Sequence, residues 1–499
     1  MSSIRKQAII SSTVVYIGFL IGAINTYLYI KQGYFTSEEF ALTRIFFDIG
    51  QNFYVFASLG VIPVMIKFYP YYNSHLQRNK NDILSWSLLM ATIGFLILMI
   101  IGFLAEPLVI KKFIGRSKLI VEYYYYIFPF AFGMLFFAVI EGYCWAIHQS
   151  VMSNFLKETL LRLFTLIGIV LFYTKLISYH NFILLFSCLF IIITILLIIY
   201  LLSIGQFKLS FKPSVVTKKF FKKMLSMQVM VFGGMLVQAL AQTMDSIFIA
   251  SIKGLAFAGV YTVALYAANF IQIPQRSLQA ISTGVIAQAW KEKNLVEIQR
   301  IYQRSSINML LLALFIFGFI ILNVENLFYL LQVQEAYYAA INIIVVLGLV
   351  RIIDGGTGIN GTIIATSTFW KFDFFCGILM LAIRIPITYL FIKKYGIIGA
   401  AYAELIGYSV YNAVRYYFLK KQFNLNPFNL KTLLAIIIAG IAIGITSIVF
   451  NSTNGWFILL CKSVVFALVF FIGNYLFKTT PDIEQVMVTL KNRCKKIVK

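Results

Sequence analysis

Runs of about twenty apolar residues, each long enough to cross a lipid bilayer, recur along this whole chain. They fall at about 8–30, 40–66, 83–104, 121–147, 158–174, 179–202, 225–250, 255–290, 305–323, 335–366, 369–392, 395–418, 430–450 and 455–477. The bilayer core holds no water, so a continuous apolar run must satisfy its own backbone there, and it does so as a helix. The pattern therefore predicts an all-α polytopic membrane protein of about fourteen transmembrane helices. Composition agrees, with 61% of the 499 residues apolar and 12% charged, where soluble domains carry about 25% charge. No polar stretch is long enough to fold as a separate soluble domain. The run at 8–30 is too long for the apolar region of a signal peptide and reads as the first membrane helix.

Tryptophan and charge give the topology. Trp86, Trp145, Trp290, Trp370 and Trp456 all lie within about three residues of a run's end, the interfacial depth that tryptophan prefers. The 42 Lys and Arg oppose 18 Asp and Glu, a net charge of +24. In a soluble chain that excess would point to nucleic acid; here it follows the loops, and no nucleic-acid partner is expected. Outside the runs, 27 Lys and Arg fall on the side of the amino terminus and 9 on the other. Basic residues concentrate in cytoplasmic loops, so both termini are expected in the cytoplasm. One external loop, with Lys111, Lys112, Arg116 and Lys118, runs against that bias.

The longest connection, 203–224, carries Lys208, Lys212, Lys218, Lys219, Lys222 and Lys223. It divides the chain into an N-terminal six-helix bundle (1–202), a basic cytoplasmic linker (203–224), a second six-helix bundle (225–424) and a terminal helix pair with a basic cytoplasmic tail (425–499). Two bundles of equal helix number are a transporter layout. A faint internal likeness, Asn25 with Lys31-Gln32-Gly33 against Asp245 with Ile252-Lys253-Gly254, points the same way.

Enzyme chemistry finds no support. HExxH, Walker A and GxSxG motifs are absent, and His75, His148 and His180 lack ligand spacing. Cys144, Cys188, Cys376 and Cys461 sit inside apolar runs as small hydrophobes, and the fifth, Cys494, has no CxxC partner. No catalytic residue, metal or cofactor is expected. Gly355-Gly356-Thr357-Gly358 with Asn360-Gly361 lies within an apolar run and predicts a broken helix, not a phosphate loop. The informative residues are ions inside the runs, each costing roughly 2.5–3.5 kcal/mol at mid-bilayer. Arg44 and Asp48, and Arg351 and Asp354, are spaced to meet on one helix face. Arg276, Arg384, Glu141, Asp245 and Glu404 have no opposite charge within four positions, so they pair across helices, protonate or face water. Arg276 follows Pro274 among Gln272, Gln275 and Gln279, which reads either as a cavity-lining site or as a satisfied kink.

With these features in hand, the chain resembles the polysaccharide repeat-unit flippases of the O-antigen type, within the multidrug/oligosaccharidyl-lipid/polysaccharide exporter superfamily. The resemblance spans the six-plus-six-plus-two layout and is most specific in the second half. Tyr395-Gly396-Ile397-Ile398-Gly399-Ala400-Ala401-Tyr402-Ala403 is similar to that family's entry to helix twelve, Gly358-Ile359-Asn360-Gly361 to its small-residue stretch in helix ten, and Asn424 to Pro427 to the segment before helix thirteen. Lys393-Lys394 departs from the short apolar-Pro element common there.

The resemblance implies export of an isoprenoid-diphosphate-linked oligosaccharide across a bacterial inner membrane, for lipopolysaccharide O-antigen or another surface polysaccharide. By position it makes Arg44 and Arg276 the diphosphate candidates, with Arg351 and Arg384 as further cavity arginines, because a guanidinium fork matches phosphate oxygens and stays charged. Asp245, Glu404, Glu141, Asp48 and Asp354 are then candidates for a coupling ion, proton or sodium. The expected partners are the lipid-linked oligosaccharide, that ion and membrane lipids. A cation-coupled drug antiporter of the same fold is the nearest alternative, and a membrane glycan polymerase or ligase the alternative from another class. Against the second, the longest external connection is only about sixteen residues, ordinary for a connector.

Overall fold

The computed structural model describes residues 2–77, 80–450, 454–480 and 482, with side chains described outside 2–13, 276, 277, 280 and 281. The chain is all-helical, with no β-strand among the described residues. By its contacts it forms two compact units, Met1–Gly259 and Val260–Lys499. The helix that follows the basic linker is grouped with the first unit.

The first unit contains α1 (Ser2–Ile30), α2 (Ser37–Ser58), α3 (Val61–His75), α4 (Ile83–Phe113), α5 (Lys118–Glu122), α6 (Ile127–Ala146), α7 (Ser150–Asn154), α8 (Leu161–Tyr173), α9 (Tyr179–Ser203) and α10 (Val215–Ile252). Thr36 and Glu39 cap α2 reciprocally, each side chain bonding the other's backbone N–H. The run at 40–66 becomes α2 and α3, bent by 48°. Gly60 makes that bend: its φ is +75°, and a Cβ there would stand 2.8 Å from the Gln228 carbonyl oxygen on α10. A π-helical turn at Phe155–Leu160 joins α7 to α8 and carries Lys157 and Glu158. The membrane-crossing stretch of α6 is 72% buried, that of α4 only 17%. Thus α6 is the unit's core helix, and α4 turns Leu96, Ile100 and Leu104 outward, as a lipid-facing helix does.

The structure accounts for one of the four cations in the anomalous basic loop. Ser117 Oγ donates to the Ala250 carbonyl at 2.8 Å and Arg116 Nη1 to the Ser251 carbonyl at 3.2 Å. These are carbonyls that the C-terminal end of α10 leaves unpaired, where a cation also opposes the helix dipole. Arg116 is a helix cap.

The second unit begins within α11 (Leu255–Lys291) and continues through α12 (Leu295–Leu330), α13 (Ala340–Gly356), α14 (Asn360–Thr366), α15 (Trp370–Tyr395), α16 (Ile398–Phe423), α17 (Leu430–Val449) and α18 (Trp456–Leu476). The helical hairpin α15–α16 uses the Gly399-Ala400-Ala401-Tyr402-Ala403 segment as its contact. A Cβ on Gly399 would stand 2.2 Å from the Phe391 carbonyl oxygen, and Ala400, Ala401 and Ala403 are fully buried. The predicted break appears between α13 and α14. Gly358 there has φ +69°, and a Cβ would meet Ser306 at 3.1 Å. Ser306 Oγ donates to the Gly356 carbonyl at 2.5 Å and Thr357 Oγ1 to the Asp354 carbonyl at 2.9 Å, replacing helical bonds lost at the break.

Each predicted run becomes a helix or a bent pair. Among the described residues, ten helices are long and apolar enough to cross a membrane, and the α2–α3 pair makes an eleventh if counted as one span. Two of the others fall short for local reasons: the π turn leaves α8 only thirteen residues, and α16 carries Glu404 and Arg415 among its tyrosines.

Candidate functional site

The second unit buries a three-ion cluster built from three helices. Arg351 on α13 reaches Glu404 Oε1 on α16 at 3.0 Å, and Arg384 on α15 reaches Glu404 Oε2 at 3.2 Å. The relative exposures of Arg351, Arg384 and Glu404 are 5%, 2% and 3%. Tyr261 donates to Glu404 Oε2 at 3.3 Å and Arg351 Nη2 to Asn269 Oδ1 at 3.4 Å, both partners standing on α11. The Tyr408 ring lies 5.6 Å from the Arg351 guanidinium carbon and 6.0 Å from that of Arg384. Burying an ion costs several kcal/mol, and pairing recovers that only with further hydrogen bonds, which these neighbours supply. Two guanidinium groups share the Glu404 carboxylate here, and Asp354 lies within electrostatic reach of Arg351.

Asp354 does not pair with Arg351, although the spacing allowed it. Its carboxylate accepts from Asn412 Nδ2 at 3.1 Å, Gln275 Nε2 at 2.9 Å and Gln272 Nε2 at 3.4 Å. Asn412 Oδ1 in turn accepts from Thr357 Oγ1 and Asn360 Nδ2, each at 2.9 Å. The broken helix is thus stitched to α11 and α16 through one carboxylate. The glutamines flanking Arg276 in sequence serve Asp354. The Arg276 side chain lies outside the described residues, while its backbone belongs to α11, which runs through Pro274.

The first unit holds a seam of opposite charge between α2 and α10. Asp48 bonds Ser246 and lies within electrostatic reach of both Arg44 and Asp245. Asn52 donates to Thr243 Oγ1 at 2.8 Å along the same seam. Arg44 lies over the Phe47 ring at 5.1 Å. Glu141, on the core helix α6, stands apart from them and pairs with Lys157 on the π turn at 2.8 Å.

The structure thus brings Arg351, Arg384 and Glu404 into one cluster with Asp354 adjoining, and Arg44, Asp48 and Asp245 into a second. Sequence reasoning missed Arg415. Its guanidinium pairs with Asp373, stacks on Tyr411 at 3.8 Å and bonds Asn360 Oδ1 at 3.5 Å. The signal was available: Glu404, Tyr408, Asn412 and Arg415 recur at i, i+4, i+8 and i+11, a polar stripe along one face of α16.

Among solved structures the chain is similar to the lipid II flippase MurJ, with a TM-score of 0.73 and 17% identity over 94% of this chain and 98% of that one. A multidrug-resistance MATE family transporter of the MOP superfamily matches with a TM-score of 0.68 and 16% identity, covering 84% of this chain and 98% of that one. The fold is that of the MOP-superfamily transporters. A MOP-superfamily transporter from Pyrococcus furiosus shares it with a TM-score of 0.56 and 15% identity over 84% of this chain and 96% of that one. No protein-family profile matches the chain, and no curated protein sequence does. With a MOP fold and ten or more apolar helices, the chain is a multi-pass membrane protein of a transporter architecture.

Proposed function

We propose that this protein is a flippase, and not an enzyme. It moves an isoprenoid-diphosphate-linked oligosaccharide from the inner to the outer leaflet of a bacterial cytoplasmic membrane by alternating access, for surface polysaccharide synthesis such as O-antigen. The observation that carries the reading is the buried pair Arg351 and Arg384 sharing the single carboxylate of Glu404. Two guanidinium groups inside apolar helices suit an anionic cargo better than a cationic drug. The likeness to a lipid II flippase over 94% of the chain supports a lipid-linked cargo.

In this mechanism Arg276 is the diphosphate ligand of the second unit, where Arg351 and Arg384 add positive potential, and Arg44 is the candidate in the first. Glu404 already has two guanidinium partners, so a proton or sodium ion gains little there. Coupling is assigned first to Asp48 and Asp245, with Asp354 and Glu141 as reserves. The same fold in MATE transporters favours a second reading, a cation-coupled drug antiporter.

The test is accumulation of lipid-linked repeat units in cells carrying Arg276→Ala or Arg276→Lys at matched protein levels. Arg276→Ala should lose export by at least about tenfold. The lysine should recover only part, since it keeps the charge without the fork. Export unchanged in Arg276→Ala removes that residue from the site. Drug sensitivity, rather than glycan accumulation, on deleting the gene would decide for the antiporter.

A further inference from the structure

The basic linker is the feature that transport leaves unexplained. Between 203 and 224 the sequence carries six lysines and no acid. Helix α10 is 38 residues long, about 57 Å at 1.5 Å per residue, against a hydrocarbon core of about 30 Å. A good part of it must therefore lie in or beyond the headgroups. Its first turns expose Lys218, Lys219, Lys222 and Lys223, spaced i, i+1, i+4 and i+5 on one face.

Lys218 with Lys222, and Lys219 with Lys223, are like-charge pairs at i, i+4, which destabilise a helix. None of the four has an ion-pair partner among the described residues. Beside them Phe211, Val215 and Phe221 are 73%, 76% and 43% exposed. A surface meeting only water has no use for such a combination, whereas a membrane interface satisfies both halves of it.

This face is also held rigid. Ser214 N–H and Thr217 Oγ1 donate to Asp82 Oδ2 at 2.9 and 2.7 Å, and Tyr72 OH lies 2.7 Å from Thr217 Oγ1. Ser210 N–H donates to Ser85 Oγ at 2.7 Å. Asp82 is 4% exposed, so the nearby acid is consumed by the clamp and leaves the lysines unneutralised.

We propose that this clamped face, Lys218, Lys219, Lys222 and Lys223 with Phe211 and Phe221 beside them, binds the phosphate headgroups of anionic phospholipids. Four cations in a fixed array meet a leaflet of phosphates, while the rings enter the boundary between headgroups and acyl chains. The surface is independent of the cargo.

The full-length protein, washed free of native lipid, is titrated with phosphatidylglycerol or phosphatidylcholine in mixed micelles, and retained lipid is counted by native mass spectrometry. The parent should favour phosphatidylglycerol by about tenfold and lose that preference in about 0.5 M salt. K218Q/K219Q/K222Q/K223Q should abolish most of the preference, and the matching all-arginine variant should keep it, which separates lost charge from lost folding. K111Q/K112Q/K118Q/K253Q, at the other end of α10, should keep it too. Equal retention by the parent and the linker glutamine variant overturns the proposal. So does equal loss in both glutamine variants, since that marks diffuse charge. Displacement of the lipid by inorganic pyrophosphate at constant ionic strength overturns it in favour of a soluble-anion site.

Discussion

The two units bury charge clusters of different make-up. In the first, Arg44 and Asp245 both stand near Asp48 on a seam of serine, threonine and asparagine. In the second, Arg351 and Arg384 surround Glu404, backed by tyrosine and asparagine. One cluster centres on an aspartate, the other on two guanidinium groups that share a glutamate. Aromatic faces, which attract cations, meet arginine in both: Phe47 under Arg44, and Tyr408 beside Arg351 and Arg384.

The most disruptive way to break the comparison is to remove the single anion. Glu404→Gln strands two guanidinium groups in the interior of the second unit. It should cost about 3–5 kcal/mol, the range for breaking a buried ion pair. The readout is the melting temperature and the monodisperse yield of the purified protein. If both stay at parental values, the cluster is wetter than its burial indicates and the asymmetry loses its energetic basis. The double variant E404Q/R384M should regain part of the loss, because it removes one stranded charge along with the anion.

A smaller effect is expected in the first unit, and on a different observable. Asp48→Asn and Asp245→Asn each keep a hydrogen-bonding side chain of the same size in the seam, so folding should change little. Transport driven by a proton or sodium gradient should fall by about tenfold, the effect of about 1.4 kcal/mol lost from ion coupling. Export with unaltered ion dependence in both variants would reduce the seam to a structural contact and leave the second cluster without a counterpart.

Much of this fold is legible in the sequence, because bilayer thickness and backbone satisfaction act on every residue of a span. The break at Gly358 was legible from glycine density in an apolar run. The pairings were not. Arg351 had Asp354 three residues away, yet it bonds Glu404, 53 positions on, since the side chains that meet are decided by which helices stack. The same limit hid Arg116, whose reason for sitting in an otherwise anomalous loop is a carbonyl of Ser251 on another helix. What sequence could have given was the face: Asn412 and Arg415 fall in register with Glu404, so the polar stripe of α16 was readable even though its partners were not.

The mildest test asks whether burial, rather than charge itself, sets these costs. Just past α18, Asp482 pairs with Arg304 on α12 and accepts from Asn308 Nδ2 at 2.5 Å, while Thr480 Oγ1 donates to Asn308 Oδ1 at 2.8 Å. This pair holds the segment after the last helix, but it sits at the surface, with 47% of the Arg304 side chain and 25% of the Asp482 side chain exposed. The hydrogen bond from Arg304 is the main cause holding the Asp482 carboxyl below its usual 3.8. A depressed carboxyl stabilises the fold above its unfolded-state pKa and loses that contribution as pH falls through the folded value. Asp482→Asn should therefore cost only about 0–1 kcal/mol at neutral pH, the range for exposed pairs. The gap in melting temperature between parent and variant should stay flat from pH 7 to about pH 5 and close below about pH 4. High salt should shrink it, whereas the Glu404→Gln defect should be indifferent to salt, because a buried cluster is poorly screened. A surface variant as damaging as the buried one would mean that helix anchoring, not desolvation, governs both, and the contrast between the clusters would have to be rebuilt on packing.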